Sequence, residues 1–97
     1  MGFFNFGKSY TQEDLQREVT KLQKLYREAL GSDATTRTKS ELKSEMTKQL
    51  HEVLEICRKG KFYGGEMVEW CPTSPSYGCY TSLRSVTPVV QTMIDLM

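Results

Sequence analysis

The feature that most constrains this chain is a pair of segments built to one plan. Each opens on a threonine with an acidic residue three positions later, closes on a glycine, and carries apolar residues at helical spacing in between. In the first, Thr11 and Asp14 form a capping-box signature, where hydroxyl and carboxylate reciprocally accept the otherwise unpaired amides of a helix start. Leu15, Val19, Leu22, Tyr26 and Ala29 follow at alternating steps of four and three. That is the seam of an α-helix, and Leu25 with Leu30 widens it into a stripe suited to a globular core. Gly31 predicts the end, because glycine enters the left-handed region at little cost.

Thr38 and Glu41 repeat the start, and Leu42, Met46, Leu50, Val53 and Cys57 repeat the seam, joined by Leu54 and Ile56 up to a stop at Gly60. Glu13 with Arg17, Lys48 with Glu52 and Glu55 with Lys59 are i,i+4 ion pairs suited to exposed faces. The polar stretch 31–37 is an ordinary helix–helix connection, short enough to make the two helices antiparallel neighbours.

The texture changes after Gly60. Residues 61–82 hold three of the seven glycines, two of the three prolines and five of the ten aromatic residues. Gly64-Gly65 between two extended runs, 61–63 and 66–70, reads as a β-hairpin turn, with a helical turn over 66–70 as the alternative. Pro72 to Gly78 reads as a loop stiffened by two prolines. Thr87-Pro88 has the form of an N-cap followed by proline at the first helical position, which predicts a last helix through Val89, Val90, Met93, Ile94, Leu96 and Met97.

The expected fold is mainly α: an antiparallel helical hairpin, a short irregular or β-hairpin segment, and a C-terminal helix. Its 97 residues suit one small domain, divided into an apolar N-terminal arm (1–10), the helical hairpin (11–59) and the Gly/Pro/aromatic segment with the last helix (60–97).

Charge narrows the function classes. Thirteen Lys and Arg against twelve Asp and Glu leave a net +1, spread evenly over both helices. A protein that lives on phosphate contacts carries a basic excess or a basic face, so dedicated nucleic-acid binding is not expected. No stretch approaches the ~20 apolar residues that span a bilayer, so no membrane partner is expected. The start has neither the basic leader nor the apolar run of a signal peptide, and the expected location is cytoplasmic. There Cys57, Cys71 and Cys79 stay reduced, and their odd number also argues against a closed disulfide framework.

The motifs are weak. Gly2 to Ser9 matches P-loop spacing, yet no strand precedes it to hold the loop and Phe3, Phe4 and Phe6 are poor neighbours for a triphosphate. The bland reading, an apolar arm that packs, is preferred. Cys57, Cys71, Cys79 and His51 are the raw material for zinc, but they lack the close ligand pairs that structural zinc sites show. One histidine and no recognisable acid–base pair leave no expected catalytic residue and no cofactor.

The aromatic distribution carries more. Nine of the ten aromatic residues lie outside the two long helices. Some of them close the open face of the helical hairpin, since large aromatics dominate small cores. Others form a protein-binding surface, for which Phe62, Tyr63, Trp70, Tyr77 and Tyr80 are the candidates, because Trp and Tyr are enriched among binding hot spots. The expected function is a non-enzymatic protein-interaction module (adaptor, inhibitor or assembly subunit), with a homodimer as the expected assembly. The alternative is a small-ligand or zinc-binding protein using the Gly-rich, Cys-bearing segment.

Overall fold

The structure is a computed structural model and describes residues 10–31, 36–72 and 79–97. It is mainly helical, with α1 (Gln12–Leu30), α2 (Lys39–Gly60) and α3 (Leu83–Leu96) and a two-stranded antiparallel sheet of β1 (Met67–Glu69) and β2 (Tyr80–Ser82) between α2 and α3. Both capping boxes form. Thr11 Oγ1 accepts from the Asp14 amide while Asp14 accepts from the Thr11 amide, and Thr38 and Glu41 do the same for α2. Gly31 takes the left-handed conformation, with φ of 81°, and ends α1.

The two seams meet. Leu15, Val19, Leu22 and Leu25 of α1 and Leu42, Met46, Leu50 and Val53 of α2 are buried in one cluster. Leu30 and Leu54, which widen the stripes in sequence, stand exposed instead. Polar contacts fix the pairing. The Gln49 side-chain amide donates to the Glu18 carbonyl and carboxylate at 3.0 and 2.9 Å. At the other end Arg37 donates to both oxygens of Glu28, whose side chain is only 4% exposed.

The end of α2 differs from expectation. Gly60 is the last helical residue, and it is Lys61 that turns left-handed, with φ of 59°. A Cβ at position 60 would lie 2.8 Å from the Phe62 ring and 3.1 Å from Tyr10 Cβ, so the glycine serves close approach rather than the turn.

The start of α3 differs more. The helix begins at Leu83, five residues before Pro88, which lies exposed inside it. Its N-cap, Ser82, makes no side-chain cap. Main-chain carbonyls cap it instead: the Leu83 amide donates to Glu66 O and the Arg84 amide to Gly64 O, each at 2.9 Å. A helix-interior proline costs about 3 kcal/mol, whereas burying a Leu or Val side chain stabilises by about 1.5–3 kcal/mol each. Starting at 83 buries both Leu83 and Val86, at 2% and 1% exposure, so the longer helix wins despite Pro88.

Val68 of β1 is fully buried and joins Leu83, Val86, Val90 and Ile94 in the core. The strand partner also departs from expectation. Residues 67–69 pair with 80–82, in the register Met67 with Ser82, Val68 with Thr81 and Glu69 with Tyr80, and not with 61–63. Gly64 and Gly65 are therefore no hairpin turn. They form the bend that delivers carbonyls to α3, and Gly64, with φ of 95°, sits so close that a Cβ would meet Arg84 Cβ at 3.2 Å.

Candidate interaction surface

Residues 64–71 are held from both sides by polar groups of the helices. In an antiparallel ladder, main-chain groups point alternately toward the partner strand and away from it. The bonds from Trp70 N–H to Cys79 O and from Leu83 N–H to Glu66 O set this alternation. They leave residues 67, 69 and 71 facing away from β2, toward α1. Three glutamines of α1 meet them there. Gln12 Nε2 donates to Met67 O at 2.8 Å. Gln16 donates to Glu69 O and accepts from Glu69 N–H, at 3.2 and 2.7 Å. Gln23 accepts from Cys71 N–H at 2.7 Å. Side-chain amides thus occupy the outer edge of β1 as a neighbouring strand would.

Glu66 organises the bend before β1. Its carboxylate accepts from the Gly64 and Tyr63 amides at 2.9 and 3.3 Å. Partial burial pushes its pKa up, but the hydrogen bonds from its own, Tyr63 and Gly64 amides, helped by nearby Arg84, outweigh that and hold it below the ordinary glutamate value.

On this frame the expected site residues divide. Phe62 is half-buried against the core. Trp70 is half-buried too and packs against the core, its ring 5.4 Å from that of Tyr26 at a 60° tilt. Tyr63 and Tyr80 are 82% and 60% exposed. Tyr77 lies outside the described residues, as do Phe3, Phe4, Phe6 and the whole P-loop-like stretch from Gly2 to Ser9. Met67, absent from the expected set, is 54% exposed and shares the outer face of the sheet with Tyr80. Strand alternation assigns Met67, Glu69, Tyr80 and Ser82 to that face and Val68 and Thr81 to the inner one.

The cysteines correct a second expectation. Cys71 and Cys79 form a disulfide, their Cα atoms 5.5 Å apart, and only Cys57 is free. The pairing of β1 with β2 brings the strand ends together, a contact that eight residues of separation do not announce. Burial, helped by Glu66, pushes the Cys57 thiol above its ordinary value, so it is a poor nucleophile and a poor ligand. His51 is exposed on α2 beside Glu52, Leu54, Glu55 and Arg58, on a different element from the cysteine pair. Among the described residues no three His, Cys, Asp or Glu side chains stand close enough together to hold a metal ion. Nor is any described helix long and apolar enough to cross a membrane.

A groove of about 490 Å³ runs between α1 and α2. Leu25 and Ile56 line it together with Glu18, Lys21, Glu45, Lys48 and Glu52, a mixed charge that favours no ligand class.

The glutamines at 12, 16 and 23 and Glu66 are the residues that sequence reading missed. Gln12 and Gln16 are one helical step of four apart, which was a legible signal, but nothing marked their partner as a main chain. Comparison of the chain with protein-family models, with curated proteins and with solved structures found no match.

Proposed function

We propose that this chain is a non-enzymatic protein-interaction module that binds another protein through the apolar outer surface of residues 62–80. The observation that supports the reading is the exposure of Tyr63, Met67 and Tyr80 around a β1 main chain that Gln12, Gln16 and Gln23 tie down. Large side chains on a fixed backbone lose little conformational freedom on binding, which leaves more of the contact energy as affinity. The mixed charge of the helix faces offers little electrostatic discrimination by contrast. The alternative, a zinc or small-ligand site in the Cys-bearing segment, loses two thiols to the disulfide.

A photo-crosslinking residue at Tyr63 or Tyr80, compared with one at the exposed helix positions Lys43 or Glu52, tests the proposal. Adducts with another protein are expected from the tyrosine positions only. Adducts from Lys43 or Glu52, with none from Tyr63 and Tyr80, would place the surface on the helices. The proposed setting is the cytoplasm. The disulfide bears against it, since such bonds are rare there, and thiol trapping in intact cells decides the matter.

A further inference from the structure

The two edges of the small sheet are treated differently. The alternation that turns residues 67, 69 and 71 toward α1 turns Tyr80 and Ser82 outward on β2. On β1 the carbonyl of Met67, both main-chain groups of Glu69 and the amide of Cys71 meet glutamine side chains. On β2 the amides of Tyr80 and Ser82 and the carbonyl of Tyr80 have no hydrogen-bond partner among the described residues. Proteins blunt a free edge with charge, proline or a covering element. The open strand here is Tyr80-Thr81-Ser82, without a charge or a proline.

We infer that β2 is the contact by which two copies of this chain associate, edge to edge and antiparallel, joining two two-stranded sheets into one of four strands. The edge is self-complementary. Its outward groups lie one residue either side of Thr81, so a two-fold axis beside Thr81 sets Tyr80 of each copy opposite Ser82 of the other. The Ser82 amide then donates to the Tyr80 carbonyl of the second copy, and the reverse. An uncharged edge brings no like charges together, and a net charge of +1 per chain opposes the approach weakly. A two-stranded sheet is marginal on its own, and a third and fourth strand supply the missing neighbours. The contact uses main-chain groups, so it stands independently of the aromatic surface proposed above, which uses rings.

Ser82→Pro is the decisive variant. The φ of Ser82 is −72°, which proline adopts without strain, and the N–H it removes is the one that points outward. Ser82→Ala controls for loss of the hydroxyl contact with Ser85, and Tyr80→Ala removes the ring while keeping the main chain. Sedimentation equilibrium over a wide concentration range should show a reversible dimer for the parent and Ser82→Ala. In Ser82→Pro, with unchanged helicity, the dissociation constant should rise about ten-fold or more, because symmetry removes two hydrogen bonds together. A parent monomeric throughout, or a dimer that Ser82→Pro leaves intact, overturns the inference. Should Ser82→Pro fail to fold, slow exchange of the Ser82 amide that appears only at dimer-forming concentrations supports it, and fast exchange there overturns it. Adducts from Tyr63 and Tyr80 with another protein test the aromatic surface separately.

Discussion

Residues 12–60 and residues 61–82 are stabilised by different means. The first stretch is two long helices whose apolar seams interlock, with Leu15, Val19, Leu22, Met46 and Val53 fully buried. Each of its signals is local: a cap, a period, a terminal glycine. Among its described residues the second stretch buries one aliphatic side chain completely, Val68, and leans Phe62 and Trp70 on the core. Its shape depends on glutamine amides from α1, on carbonyls lent to α3 and on one disulfide. A region held by apolar area fails as a unit, whereas a region held by directed bonds can loosen alone.

The largest test of that contrast is in the seam. Leu22→Ala or Leu50→Ala removes a side chain exposed by 0% or 3%, and the expected loss is about 2–5 kcal/mol in chemical denaturation, with all signals melting together. A loss below about 0.5 kcal/mol at both positions, the range of surface changes, would dissolve the distinction between the two regions.

A smaller effect sharpens it. Gln16→Ala removes the two hydrogen bonds that Gln16 makes to the half-buried Glu69 main chain, at an expected cost of about 1–2 kcal/mol. Hydrogen exchange should quicken at residues 67–71 while amides in the middle of α1 and α2 stay protected. Equal quickening in the helices would mean that the segment is not a separate unit.

The smallest effect is in acid, and it touches both regions. The Thr11 amide holds Asp14 below its ordinary value of 3.8, the Thr38 amide and hydroxyl hold Glu41 below 4.5, and the bend amides hold Glu66 below 4.5 against partial burial. Each carboxylate is more acidic folded than unfolded. Its contribution is therefore complete above the unfolded value and is lost as pH falls through the folded one. Urea midpoints should be flat from neutrality to about pH 5 and decline below it. In Glu66→Gln the decline should be shallower, and an unchanged slope would remove Glu66 from the account.

The same contrast explains what could be read from the sequence. The helical hairpin was legible because Thr11, Asp14, Thr38, Glu41 and the seam residues act on near neighbours. The strand pairing was not, because the partner of Met67–Glu69 lies more than ten residues away and no periodicity in three residues announces it. Thr87-Pro88 misled for a definite reason: the cap that lets α3 start at Leu83 is made by the carbonyls of Gly64 and Glu66, which any residue could supply. At the surface, Tyr63 and Tyr80 are exposed, whereas Trp70 and Phe62 are half-buried against the core, Trp70 beside Tyr26 and Phe62 beside Gly60.

The glutamines on the outer edge of β1 would set a limit on the size of the association inferred above. A strand edge that accepts a copy of itself is the usual seed of a fibril, since each added molecule offers a fresh edge to the next. In the dimer inferred above, joining through β2 would leave the two β1 edges at the ends of the sheet, where Gln12 and Gln16 of each chain already occupy the Met67 carbonyl and both main-chain groups of Glu69. Addition would then terminate after one step, as closed two-fold symmetry requires. Two side-chain amides on one helix would then separate a finite pair from polymerisation.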